Sequence, residues 1–270
     1  VTVEHETAPE GVDPSIFSTA RLYDYLLEGH NNYAADRSVG DYILAIAPEM
    51  RTIAKENREC LGRFVNLATS RGIRQFLDLG SGLPTAQNVH QIAQQTLPDA
   101  RTVYVDSDHT TLLHASALLS DEPNTVFVKA DVVRPQDILS HPDTLRILNF
   151  DEPIAVLMIA LLHFVPDSAN PREIVAEVMD AMPVGSLLAI THLTYEDASP
   201  EFTERISQMS SGSHVSRVSR NSREIASLFG ALPLAEGELV DAGRWGIPEE
   251  ERKEIIPGQV RVLFGYSEKK

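Results

Sequence analysis

The stretch Phe76 to Thr85, FLDLGSGLPT, is an apolar run that ends in an aspartate and is followed by two glycines one residue apart. It reads as a buried strand running into a tight turn that opens a helix, the place where α/β proteins hold nucleotide-like ligands. Glycine is needed there because a side chain at Gly80 or Gly82 would restrict the turn and hold a ligand away from the main chain. A bare pair of glycines also fits an empty strand-to-helix bend, so the surrounding chain has to decide.

Before the turn the pattern is helical. Ile16, Ala20, Tyr23, Leu26 and Leu27 recur at helical spacing up to Gly29. A second helix is expected from Ala34 to Ala47, ending at Pro48, and a third carries Met50, Ile53, Cys60, Leu61, Phe64, Val65 and Ala68 up to Gly72. Residues 1 to about 12 are polar and read as a mobile tail. After the turn the chain alternates: strands are expected at Gln75 to Leu79, Thr102 to Val105, Thr125 to Lys129, Ile154 to Ala160 and Ser186 to His192, with helical patterns between them. Continuous apolar strands such as IAVLMIA belong to a parallel sheet covered on both faces. Leu239 to Asp241 and Gln259 to Tyr266 read as two strands with no helix between them, an antiparallel pair at one sheet edge. The expected fold is a doubly wound, mostly parallel α/β sheet of about seven strands. Residues 1–72 form its tail and helical cap, and 73–270 form the core.

The 270 residues suffice for a full core without staples. A net charge of −16 argues against nucleic acid as a partner, since a phosphate backbone is met by clustered Lys and Arg. No apolar run approaches the roughly 20 residues of a membrane span. The lone Cys60 provides no disulfide framework or cysteine-rich metal site; it falls in an apolar helical pattern and is compatible with a reducing cytoplasm. The expectation is a cytoplasmic protein that meets a small molecule, with no metal.

Three strands end in acids: the first in Asp78-Leu79-Gly80, the second in Asp106 and the third in Asp131. Asp106 is placed to accept from two ribose hydroxyls, and Asp131 from an adenine amino group. A dinucleotide enzyme would use Asp106 equally well, but its fingerprint has a glycine three positions after Gly82, where this chain has Thr85. A cofactor-binding module without catalysis is a further alternative.

With Asp78, Gly80, Gly82, Asp106 and Asp131 so placed, the layout resembles the class I S-adenosylmethionine-dependent methyltransferases. PSIFSTARLYDYLLEGHNNYAADR, the FLDLGSGLPT turn and ALLHFVPD together resemble an actinobacterial family of S-adenosyl methyltransferases, over about Pro14 to Tyr266. The resemblance implies S-adenosylmethionine as cofactor and S-adenosylhomocysteine as product. It also implies cofactor contacts at Ser81, Ser107, Ala130 and Val132 beside the acids and glycines. Many relatives have a third glycine where this chain has Pro84.

Tyr23, Tyr25, Asn31, Asn32, Tyr33, Asp36 and Arg37 crowd hydrogen-bonding and aromatic groups into one short segment. Tyr23, Asn32 and Tyr33 are expected to cover the cofactor from a helical cap, the other reading being core tyrosines and helix capping. Methyl transfer needs alignment and exclusion of water more than a base; for a hydroxyl acceptor a histidine is the natural base. His163, in LLHFVPD after the fourth strand, and His192, ending the fifth, are the candidates, against the alternative of structural histidines. Tyr195 and Glu196 follow as weaker ones. Arg217, Arg220 and Arg223 form either a cationic patch for a substrate anion or partners of surface acids. Trp245 is either a stacking platform or a buried anchor.

Overall fold

In the computed structural model, which describes residues 8, 11–84, 87–119, 121–205, 217–255 and 260–270, three helices precede the sheet: α1 (Thr19–Leu26), α2 (Ala34–Ile46) and α3 (Met50–Ser70). Then follow β1 (Gln75–Leu79), α4 (Val89–Thr96), β2 (Arg101–Asp106), α5 (His109–Leu118), β3 (Thr125–Lys129), α6 (Pro135–Leu139), α7 (Pro142–Ile147), β4 (Ile154–Ile159), α8 (Pro171–Asp180) and β5 (Leu187–Thr194). The chain ends with α9 (Ser222–Ser227), β6 (Val240–Asp241) and β7 (Arg261–Glu268). Most of the expected tail, together with Thr85, residues 206–216 ahead of Arg217, and Gln259, lies outside the described residues. Val12, at the inner end of that tail, is buried.

Among the described residues the sheet has seven strands in the order β3-β2-β1-β4-β5-β7-β6. The first five are parallel, and β7 runs antiparallel to both β5 and β6. Two-residue alternation divides the side chains between two cores. Phe76, Ala155, Leu157 and Ile159 face the layer of α1 to α4, whereas Leu77, Leu79, Val156 and Met158 face the other layer, where α8 packs. Each residue of β4 is buried, because helices cover both faces. Asp78 shares its parity with Phe76, so its carboxyl points toward α3.

The N-terminal helices belong to the same core: Leu22, Leu26, Ile43 and Phe64 join Phe76 and Phe264 in one apolar cluster. A buried polar knot fixes α1 against α2. Asp36 receives the Ser18 N–H at 2.9 Å, the Tyr33 N–H at 2.9 Å and the Arg21 Nε at 2.7 Å, so both carboxylate oxygens are used. Arg21 also donates to the Ile16 carbonyl and lies 5.1 Å over the Tyr33 ring. Ser18 Oγ donates to Asp108 Oδ2 at 2.5 Å, which ties the start of α1 to the loop after β2.

The fifth strand runs two residues past its expected end, so His192 lies inside β5 and not at its tip. Pairing explains the extension, since β7 bonds to β5 as far as Thr194 opposite Arg261. Trp245 is a buried anchor: its ring packs 4.3 Å from Phe264, and its Nε1 donates to Glu236 Oε1 at 2.7 Å.

Candidate functional site

The strand order reverses between β1 and β4, and the loops following these two strands meet at the carboxyl edge of the sheet. Gly80 and Gly82 both have left-handed backbones, at φ +69 and +63. Their reasons differ. A Cβ on Gly80 would lie 2.5 Å from Leu161 Cδ1, in the loop after β4, whereas a Cβ on Gly82 would meet nothing within 4 Å. Gly80 is therefore a packing requirement, and Gly82 keeps space open. The turn is held by N–H groups of Gly80 and Ser81 on the Val105 carbonyl, at 2.8 and 3.1 Å, and of Gly82 on Asp106 Oδ2, at 2.8 Å. Opposite, Ala160 is also left-handed at φ 53, its N–H donating to Thr191 Oγ1 at 2.8 Å.

Between this edge and the helices α1 and α3 lies a cavity of about 430 Å³, within the roughly 300–1,000 Å³ usual for small-molecule sites. It is lined by Asp78, Gly80, Ser81, Gly82, Asp106 and Ser107, by Ala130, Asp131 and Val132, by Tyr23 from α1, and by His163. The structure thus brings together the glycine turn, the strand-end acids and one histidine. Asn32 and Tyr33 do not line it; they border a separate hollow with Tyr25, Glu28 and Arg37. Asn32 Nδ2 donates to Asp24 Oδ2 at 2.8 Å and to the Gly29 carbonyl at 2.9 Å, the role of a loop-closing residue.

The acids differ in their surroundings. Asp78 is buried, and burial pushes its carboxyl up to about 7 against the pull of Arg58. Asp106 is also raised, by burial first, with the N–H groups of Asp108 and Gly82 acting in the opposite direction. Each Asp106 oxygen accepts one of these N–H groups, at 2.9 and 2.8 Å, and retains a lone pair for a ligand. Asp131 Oδ1 accepts the Val133 N–H at 3.1 Å.

Asn57, Arg58 and Arg217 also line the cavity and were not among the residues expected there as cofactor contacts. The signal for Asn57 was present in the sequence: it takes an apolar-face position of α3 between Ile53, Ala54 and Cys60, and it is buried. Its Nδ2 donates to the Tyr23 hydroxyl at 2.9 Å, and that hydroxyl donates to the Ala54 carbonyl at 3.2 Å. Asn57 Oδ1, Arg58 Nε, Ser81 Oγ, His163 Nδ1 and Arg217 Nε are buried without a hydrogen-bond partner, and all five residues face this one cavity. Buried polar atoms are nearly always paired, so their convergence marks a place built for a polar ligand. Among the described residues no group of three or more His, Cys, Asp or Glu side chains is arranged to hold a metal ion.

The two histidines separate. Both are buried, their rings 5.5 Å apart, but only His163 lines the cavity. Burial above all, with the guanidinium groups of Arg217 and Arg220 adding to it, holds His163 well below the ordinary imidazole value. His192 Nδ1 lies 2.7 Å from the Leu193 carbonyl, and its Nε2 lies 3.0 Å from Arg220 Nη1. A carbonyl only accepts and a guanidinium only donates, so His192 is neutral with its proton on Nδ1, and both nitrogens are used. Arg220 further donates to the Leu162 and Val165 carbonyls, at 2.7 and 2.8 Å, and pairs with Asp167 at 2.7 Å. Of the three arginines, Arg220 is a buried clamp, Arg223 is exposed and Arg217 lines the cavity.

No described helix is long and apolar enough to cross a membrane. A comparison with curated proteins finds no match. The family model described as S-adenosyl methyltransferase matches residues 5–270. Among solved structures, a candidate methyltransferase from Thermobifida fusca YX is 37% identical with a TM-score of 0.87, over 97% of this chain and 98% of that one. A DUF574 family protein from Streptomyces avermitilis MA-4680 is 32% identical with a TM-score of 0.88, over 96% and 99%. The cavity, its glycine turn and the full-length matches agree: the chain belongs to the S-adenosyl methyltransferase family, whose cofactor is S-adenosylmethionine.

Proposed function

We propose that this protein is a cytoplasmic enzyme that methylates a small molecule held between the glycine turn and the N-terminal helices. The observation that carries this reading is the convergence of five unpartnered buried polar atoms on one cavity already framed by the turn and by Asp78, Asp106 and Asp131. When bound, S-adenosylmethionine supplies a methyl group on a positively charged sulfur. The free lone pairs of Asp106 suit two ribose hydroxyls, and the second oxygen of Asp131 suits an adenine amino group. Asp78 and Arg58, opposite charges that influence one another across the same wall, suit the ammonium and carboxylate of an amino acid. Ser81 Oγ adds a further donor and acceptor beside them, and Gly82 leaves the main chain open to close approach.

On the acceptor side, His163 presents an unpartnered Nδ1 from a neutral ring. A ring held so far toward neutrality is a weak base. It serves better by accepting the hydrogen of the incoming nucleophile and fixing the direction of one lone pair than by storing a proton. Helices α1 and α3 line the cavity with Leu22, Leu26, Met50 and Ile53, an apolar surface that limits solvation of the charged sulfur and so favours displacement. The net charge of −16 supports a small-molecule acceptor over nucleic acid, and the single buried thiol of Cys60 is compatible with a reducing compartment.

Calorimetric titration with S-adenosylmethionine, S-adenosylhomocysteine and NAD tests the reading. Micromolar binding of the two sulfur compounds without NAD is expected; NAD binding with no response to either sulfur compound overturns it.

A further inference from the structure

The cavity has two cations, and they serve different neighbours. Arg58 acts on Asp78 and reaches back to the Gln87 carbonyl at 2.9 Å, on the side of β1 to β3. Arg217 acts on His163 and Tyr195, and its guanidinium carbon lies 5.7 Å over the Phe164 ring, on the side of β4 and β5. Phe164 in turn packs 4.3 Å from the His163 ring. Arg217, Phe164 and His163 therefore form one cluster on the acceptor side of the sheet's switch point. Helices α1 and α3 contribute the apolar side chains Leu22, Leu26, Met50 and Ile53 to the same cavity, beside Tyr23, Asn57 and Arg58.

Arg217 lacks a carboxylate partner among the described residues, in a chain rich in acids. Acids outnumber bases 39 to 23, and Arg220 and Arg261 each have carboxylate partners. Among the described residues Arg217 forms no ion pair; its guanidinium lies over the Phe164 ring, its charge works against the burial that raises the Tyr195 pKa, and its Nε is buried without a hydrogen-bond partner. A guanidinium cannot shed its charge, so a buried donor on it calls for an acceptor, best an anionic planar one.

We infer that the methyl acceptor is a largely apolar molecule bearing a carboxylate, which pairs with Arg217 against the Phe164 ring while its hydroxyl or amine meets His163 Nδ1. The inference rests on the methyltransferase reading above. The apolar helix wall holds the body of the molecule, and the cation selects its acid group. Two further consequences accord with the geometry. A carboxylate at Arg217 offsets part of the positive field now acting on His163, so the acceptor improves the very group that receives its hydrogen. A neutral analogue leaves the buried Nε of Arg217 without a charged acceptor.

The test uses the full chain saturated with S-adenosylhomocysteine and a series of ω-phenylalkanoic acids with one to five methylenes, each beside its primary amide, followed by calorimetry. At least one acid is expected to bind about tenfold to a hundredfold more tightly than its amide, the range of a charge-assisted hydrogen bond. Arg217→Gln should abolish that preference with affinity for S-adenosylhomocysteine intact, and Arg217→Lys should keep part of it. Equal binding of acids and amides, binding of neither, or a preference that survives in Arg217→Gln overturns the inference. The S-adenosylhomocysteine titration comes first: if it shows no binding, the cofactor reading itself falls, and the acceptor inference with it.

Discussion

Arg220 Nη1 donates to His192 Nε2 at 3.0 Å, while the same guanidinium holds the carbonyls of Leu162 and Val165 and the carboxylate of Asp167. One side chain thus fixes the loop after β4 to the inside of β5, and His163 sits on that loop. Arg220→Ala leaves the Val165 carbonyl and one imidazole nitrogen buried without a donor, and leaves the Leu162 carbonyl with the Val165 N–H alone. It is expected to cost about 2–4 kcal/mol, read as a lower midpoint in urea denaturation; a change below about 1 kcal/mol is inconsistent with the clamp.

His192 makes stability depend on pH. Burial above all pushes its pKa down to about 4 from the ordinary 6.5. Between those values the unfolded chain holds the proton and the folded one does not, so its contribution is complete above about pH 6.5 and is lost as pH falls toward 4. His192→Asn should remove this slope. Measured by denaturation at pH 7.5 and pH 5, wild type should lose about 2 kcal/mol more than the variant over the interval. Parallel losses in the two proteins contradict the assignment.

Asp78 has the opposite sign. Its carboxyl is pushed up to about 7 by burial, so ionising it costs the free protein stability as pH rises from about 4 to about 7. Asp78→Asn is expected to be more stable than wild type without ligand at pH 8, by on the order of 2–4 kcal/mol, with a smaller gap at pH 5. The same variant should lose most of its thermal stabilisation by S-adenosylmethionine, since the ligand's ammonium finds no carboxylate. A variant that gains stability and keeps the ligand shift would separate Asp78 from cofactor binding.

The two turn glycines should respond differently to alanine. Gly82→Ala has room for its Cβ and meets chiefly the backbone penalty of a left-handed residue, about 1 kcal/mol. Its principal effect falls on cofactor affinity. Gly80→Ala adds a collision with Leu161 at 2.5 Å and should cost about 2–4 kcal/mol. Thermal unfolding with and without S-adenosylhomocysteine distinguishes them; equal destabilisation rules out the division of roles.

Asp106 and His163 should divide along the cavity. Asp106→Ala removes the acceptor for the Gly82 and Asp108 N–H groups as well as for the ligand, and is expected to weaken S-adenosylhomocysteine binding about a hundredfold or more. His163→Ala should leave that affinity within about threefold. Equal losses in calorimetry would place His163 with the cofactor and not with the acceptor.

Much of the fold was legible in the sequence because parallel strands buried on both faces announce themselves as unbroken apolar runs. The starts and ends of β1 and β3 agree with that reading, and the three helices before the sheet begin and end close to Gly, Pro and capping signals. The end of β5 was not legible, since it is set by pairing with β7, a partner more than sixty residues away. The acids and glycines at strand ends were readable because topology carries every parallel strand's end to one edge. Asn57 and Arg58 were missed because a helix shows its face in periodicity but not what that face meets. Arg217 and Arg220 each follow a Val-Ser pair in the same repeat, yet one faces a cavity and the other is locked beneath a loop. What distinguishes them is the tertiary surroundings each meets, which the repeat does not encode.

Thr19 and Val262 line the same cavity, together with residues from every parallel strand end between them. The binding site is therefore not a local device on a finished scaffold but the last thing the polypeptide completes. During synthesis the sheet can begin to form once β1 to β4 have emerged, but no ligand can be enclosed until the final strand delivers Val262 beneath α1 and α3. Ligand capture thus reports on the integrity of the whole chain, and a fragment lacking either end should retain strands without retaining a pocket.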